Sequence, residues 1–281
     1  MRPRTKRRIA KTFKSIFIYA VLIVAVIGAI FPVLWAVSTS LKVPTNIATF
    51  PPQWIPNPIT LAHYDLTLPS MARYIINNVI VAAGTIVLTL LIASHGGYAA
   101  ARSDFPLKNT LLFIILSTMM IPGIAVLIPL YMVASKLNLL DTHSVLIIIF
   151  SAWQIPLVLW LLKGFFETIP VELEEAAMID GCSQLGAMYR ISMPLIRPGL
   201  AAAAIVVFVY VWNEFIIALT LTTSDKARMI TVGLYYYLTA YGIEWGKLMS
   251  AVVLALIPVM VLFLILQRQF IQGLVAGARK G

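Results

Sequence analysis

Charged residues in this chain stand too far apart for a soluble fold. The stretches from Lys14 to Lys42, Arg73 to Arg102, Lys108 to Lys136, Asp141 to Lys163 and Lys247 to Arg268 contain no Asp, Glu, Lys or Arg between their ends, and a sixth, Arg197 to Asp225, contains only Glu214. A helix needs about 20 residues to cross about 30 Å of hydrocarbon, where charge is costly. These gaps therefore predict six membrane helices, at 15–37, 76–99, 109–133, 143–162, 199–221 and 248–267. Composition agrees, because 60% of residues are hydrophobic and only 11% charged, against about 25% charged in soluble domains. A mean hydropathy of +0.93 excludes disorder, and one cysteine excludes a disulfide scaffold. In such a chain the net charge of +10 points to lipid headgroups rather than nucleic acid.

Lys and Arg set the expected orientation. Fifteen of the 21 fall on one side: Arg2 to Lys14, Arg102, Lys108, Lys163, Arg190, Arg197, Arg268, Arg279 and Lys280. Six fall on the other: Lys42, Arg73, Lys136, Lys226, Arg228 and Lys247. Both termini are thus expected in the cytoplasm. The apolar run behind the basic start is about 23 residues, too long for the 7 to 15 of a cleavable signal core. The expected organisation is a basic cytoplasmic N-terminus (1–14), an all-α membrane domain (15–268) and a cytoplasmic tail (269–281). Of the outward loops, 38–72 carries six prolines and should be extended, while 222–247 carries Tyr235, Tyr236, Tyr237, Tyr241 and Trp245. Those aromatics suit an interfacial belt, a sugar ring or a partner protein.

The cytoplasmic segment 167–197 is the long connection, and long loops are where function concentrates. Pro170 suits a first helical position, with Glu172, Glu174 and Glu175 near the positive end of the helix that follows. Ala176 and Ala177 keep one part of that helix low, and Gly181 supplies a left-handed stop. A second short helix is expected from Ser183, ending before Pro194. The prediction is an elbow of two short helices on the membrane face.

The run Glu175-Ala176-Ala177, three residues, Gly181, nine residues, Ile191-Ser192-Met193-Pro194 resembles the EAA loop of ABC importer permeases, with Met193 in place of leucine and Asp180 fitting before the glycine. The flanking LLKGFFETIPVELEEAAMIDG, the Trp212-Asn213-Glu214-Phe215 run and the closing QRQFIQGLVAGARKG resemble the maltose-type (MalG-like) second permease subunit of carbohydrate importers over essentially the whole chain. The resemblance implies a type I permease fold forming half of a pathway for a sugar or oligosaccharide, in a bacterial or archaeal cytoplasmic membrane. It implies a homologous second permease, two ATPase subunits that carry ATP and magnesium, and an extracytoplasmic solute-binding protein as partners. It further implies that the elbow docks in a groove of an ATPase through Glu174, Glu175, Ala176, Ala177, Asp180 and Gly181.

The residues themselves fit that division of labour. The nearest string to a phosphate loop, Gly242 to Lys247, has three residues rather than four between its glycines and continues with Leu248. No enzymatic activity and no resident cofactor are expected. Polar residues in the predicted spans are candidates for the path: Asn77, Asn78, Ser117, Gln154, Asn213 and Glu214. Each could meet a polyhydroxylated solute or simply join helices. Pro122, Pro129, Pro156 and Pro258 could be hinges or packing adjustments. His63, His95 and His143 lack ligand spacing, so no metal is expected, and Cys182 reads as a small packing residue. No Lys or Arg lies within a span, which favours a neutral sugar over a glycerophosphate. A secondary carrier is the alternative of a different class, but it would need internal repeats and more titratable groups in the spans.

Overall fold

The structure, a computed structural model, describes the backbone of residues 3–239 and 242–278 and the side chains of 14–238 and 242–265. Arg2, Tyr241, Arg279 and Lys280 lie outside the described residues, as do the side chains of Arg4 to Lys11 and of Arg268.

Among the described residues, four helices are long and apolar enough to cross a membrane. They are α1 (Pro3–Ser40), α2 (Ala62–Arg102), α5 (His143–Phe166) and α12 (Trp245–Ala278), and they contain the expected spans 15–37, 76–99, 143–162 and 248–267. The other two expected spans are broken. Between α3 (Lys108–Ser117) and α4 (Leu127–Lys136) the chain bends by 90°. Ile121 is extended there because Pro122 follows it, and Pro122 has no N–H to continue the ladder. Thr118 O, which Pro122 cannot serve, accepts from Ile121 N at 3.2 Å, while Ser117 Oγ donates to Ile114 O at 2.8 Å and Thr118 Oγ1 to Ile115 O at 2.6 Å. Pro129, Pro156 and Pro258 lie within unbroken helices.

The fifth expected span, 199–221, divides into α9 (Arg197–Asn213) and α10 (Ile216–Leu221). Glu214 is extended, and its carboxylate accepts from the backbone N–H groups of Ile217 and Ala218, both at 3.0 Å. That carboxylate replaces the carbonyls that a continuous helix would have offered.

The chain forms two compact units, 1–69 with 237–257 and 70–236 with 258–281. In the first, every residue of α1 from 14 to 34 is exposed. The chain between α1 and α2 is largely irregular, with a short turn at Pro44–Asn46, but the end of the stretch expected to be extended, 62–72, is helical, because α2 starts at Ala62 and contains Pro69. Trp35 and Trp54 meet edge to face at 5.3 Å, and the buried Lys42 ammonium lies 4.2 Å over the Trp35 ring. Burial lowers the Lys42 pKa, and the ring face compensates part of the lost hydration. Between α10 and α12 the chain order is a short helix, α11 (Ile230–Tyr235), then a two-stranded hairpin, β1 (Leu238–Thr239) with β2 (Gly242–Ile243).

The second unit has its core on α5, where Leu146, Phe150, Val158, Leu162 and Phe166 are fully buried. Helices α2 and α5 run parallel and in step. Asn77 meets His143 and Thr85 meets Ser151, while Gly97 abuts Lys163 and Tyr98 packs on Phe166. A side chain at Gly97 would put its Cβ 3.1 Å from Lys163 N and 3.2 Å from Leu159 O, both backbone atoms that cannot turn aside. Gly97→Ala should therefore cost about 1–3 kcal/mol through overpacking, read as a lower thermal midpoint of the detergent-solubilised protein.

Candidate functional site

The elbow is present. Its first helix, α6 (Val171–Ile179), starts one residue later than expected, with Pro170 extended at the cap. It ends on Gly181, whose φ of +92° lets Gly181 N donate to Met178 O at 3.0 Å and Cys182 N to Ala177 O at 2.9 Å. This pairing closes the helix on a residue that a Cβ would strain. Ser183 caps the second helix by accepting from Gly186 N at 3.1 Å. That helix does not stop before Pro194. It runs from α7 (Gln184–Ala187) through a wide π turn (Met188–Ser192) into α8 (Met193–Leu195), and bends by 77° into α9. Pro194 falls in the first turn of α8, where its missing N–H is no loss.

The two adjacent glutamates of α6 have opposite environments. Glu175 is exposed, as are Ala176, Asp180 and Gly181. Glu174 is buried, and Ala177 one turn on is buried beside it. The Glu174 carboxylate accepts from Arg102 Nε at 3.0 Å, Tyr98 OH at 2.8 Å and Ser192 Oγ at 2.5 Å. Arg102 also donates to Ile169 O at 2.9 Å. The ion-paired side chains are 7% and 4% exposed. Burial alone would raise the Glu174 pKa, but the hydrogen bonds from Arg102, Ser192 and Tyr98 outweigh it and hold the carboxyl below its ordinary range. Glu174, expected among the contact residues, thus faces inward because Arg102 and Tyr98 at the end of α2 draw it in.

The outer surface of the elbow carries residues that the motif did not single out. Val171, Leu173, Met178, Ile179 and Leu185 are exposed, Ile179 to 86%. Apolar side chains at helical spacing in a segment outside every predicted span were the available signal. Cys182 is half-buried, with Arg190 Nη1 3.8 Å from its sulfur.

The expected path residues do not gather at one surface. Asn77, Asn78 and Gln154 are buried. Asn77 Nδ2 donates to Arg228 O at 2.9 Å and its Oδ1 faces His143 Nε2 at 2.9 Å, while Asn78 Oδ1 accepts from Ile230 N at 2.7 Å. These amides fasten α2 to the segment 222–230. Tyr74 OH adds a bond to Asp225 at 2.8 Å. Asp141 accepts from the N–H groups of Thr223 and Ser224, each at 3.1 Å, at the same segment. Burial pushes Asp141 up, yet the bonds from Ser224 and Thr223 keep its pKa below the usual value. Ser117 closes its own helix end and Glu214 caps α10, so both are engaged locally. Asn213 is exposed and donates to Val209 O at 2.8 Å. An open cavity of about 690 Å³ lies beside the fastened segment, lined by Arg73, Ile76, Asn77, Ser224, Asp225 and Lys226. The three histidines serve separate contacts: His63 with Lys42 O, His95 with Tyr189 and His143 with Asn77.

Residues 94–275 match the model of the binding-protein-dependent transport system inner membrane component family. A sulfoquinovosyl glycerol transport system permease of Agrobacterium fabrum is 33% identical over 92% of this chain and 91% of its own. A trehalose/maltose transport system permease of Thermococcus litoralis is 32% identical over 96% of this chain and 99% of its own. A chain of a bacterial ABC transporter that imports the acidic polysaccharide alginate shares the fold, with a TM-score of 0.80 at 20% identity, covering 92% of this chain and 97% of that one. The chain, a multi-pass membrane protein, belongs to this family of inner-membrane components and is a permease of an ABC importer.

Proposed function

We propose that this permease forms half of the translocation pathway for a sugar or oligosaccharide in a bacterial or archaeal cytoplasmic membrane. It pairs with a homologous second permease, receives solute from an extracytoplasmic binding protein, and is driven by two ATPase subunits that bind ATP and magnesium. The chain crosses six times with both termini in the cytoplasm. The parallel course of α2 and α5 supports that count, because the chain must return once between them through the bent α3–α4 pair. The completely exposed stretch of α1 from 14 to 34 requires lipid or the second permease to cover it.

The observation that carries the coupling role is the elbow itself, anchored by Glu174 while Glu175 and Ile179 stand outward. Its exposed apolar residues fit helix-in-groove docking on an ATPase, with Glu175 the charged contact, Ala176 the low surface and Gly181 the turn. Closure of the ATPase pair would carry the elbow inward and convert an inward-open bundle to an outward-open one. Moving that equilibrium from 1:99 to 99:1 takes about 5.5 kcal/mol of differential binding, which a loosely held loop could not transmit.

Sulfoquinovosyl glycerol and trehalose or maltose, the solutes in the names of the two relatives, are glycosides, which supports a saccharide here. A second reading, an acidic saccharide, is favoured by Arg73 and Lys226, which line the 690 Å³ cavity and have no ion-pair partner among the described residues. The test is reconstitution with the second permease and the ATPases, measuring ATP hydrolysis with binding protein loaded with neutral or acidic sugars. Stimulation by a loaded binding protein is expected. Uptake driven by a proton or sodium gradient in this chain alone would establish a secondary carrier instead.

A further inference from the structure

Helix α2 is held by buried polar contacts at both ends. At Arg102 and Tyr98 it grips Glu174 of the elbow, with Ser192 of the π turn on the same carboxylate. At Tyr74, Asn77 and Asn78 it grips the segment 222–230. Asn77 and Arg102 lie 25 positions apart in one unbroken helix, about 37 Å at 1.5 Å per residue. Along that length α2 is seated against α5 without slippage, through Thr85 with Ser151 and Gly97 with the Lys163 backbone.

We propose that α2 is a two-ended lever in which Arg102 and Tyr98 are positioning residues for the elbow and Asn77 and Asn78 for the 222–230 segment, so that movement at either grip is felt at the other. This rests on the coupling role proposed above and adds the route. It gives the buried amides a use other than lining a pore. The far grip borders the cavity beside Lys226, where a partner on that side of the membrane can press on the 222–230 segment. Each grip works by bonds to a carboxylate or a backbone group, so one substitution removes a polar bond and weakens the grip.

The lever predicts a non-additive double-mutant cycle. The complex of this chain, its companion permease and the ATPases is reconstituted in proteoliposomes, and the ratio of ATP hydrolysis with and without loaded binding protein is measured. Arg102→Met and Asn78→Leu should each lower that ratio about tenfold, a loss of about 1.4 kcal/mol of coupling. The double variant should be no lower than the weaker single. Losses that multiply to about a hundredfold, or single variants with the wild-type ratio, would overturn the lever. If Arg102→Met fails to accumulate in the membrane, Tyr98→Phe takes its place, since it removes only the 2.8 Å bond to Glu174. Retention of the ATPases on the purified variant separates a lost grip from a lost partner. A wild-type complex that loaded binding protein does not stimulate would instead refute the importer reading, whatever the variants do.

Discussion

Gly181→Pro is expected to abolish uptake while the chain still inserts in the membrane, and Glu175→Lys should do the same by a different route. Proline fixes φ near −65°, whereas Gly181 sits at +92° and donates its N–H to Met178 O. The substitution therefore removes both the left-handed stop and the bond that closes α6. The second elbow helix would leave the first at another angle, and the two could no longer enter one groove. Glu175→Lys keeps this geometry and reverses the charge on an exposed contact position. A coupling of usual size, about 1–3 kcal/mol, is about 5- to 150-fold in affinity between the coupled sites, and its complete loss should bring uptake to background. Both positions lie outside the membrane helices, so membrane-fraction immunoblots should match wild type. Wild-type uptake by both variants would contradict the coupling role.

Glu174→Ala should behave quite differently, as a stability variant. It leaves the buried Arg102 guanidinium with only Ile169 O as acceptor, and breaking a buried pair by removing one partner costs about 3–5 kcal/mol. Glu175→Ala one residue away should change stability by less than about 0.5 kcal/mol, since its side chain is exposed. Thermal unfolding of the two detergent-solubilised variants separates them directly. The clasp also sets a pH dependence. Its carboxyl pKa is lower folded than unfolded, so its stabilisation is complete above the ordinary value of 4.5 and is lost as pH falls through the lowered folded value. The wild-type midpoint should thus fall more steeply than that of Glu174→Ala as the solution is acidified below that range.

The apolar stretches were legible because hydrocarbon excludes charge, a rule that acts on sequence directly, and among the described residues four of them are continuous helices long enough to cross a membrane. The breaks within the other two were not legible. Pro122 signals a disturbance but not its 90° size, nor that Thr118 O would turn to Ile121 N for its partner. Glu214 in an apolar run reads as a pore residue, and only the local fold reveals a carboxylate capping its own chain. Likewise Glu174 and Glu175 are equivalent as letters. They point about 100° apart on a helix, and Arg102, 72 residues earlier in the chain, decides which one turns inward. The helix stop at Gly181 was visible because few residues other than glycine accept its conformation. Asn77 and Asn78 were visible as polar residues at a span end, but their partners at Arg228 and Ile230 lie about 150 positions away.

The central claim, that the elbow is where an ATPase takes hold, is tested most directly by a photo-crosslinking amino acid at position 179, the most exposed apolar residue of the elbow. In inverted membrane vesicles containing the full complex, illumination should produce an adduct between this chain and the ATPase subunit, with a yield that changes when ATP is added. Adducts to lipid alone, in every nucleotide state, would contradict the account.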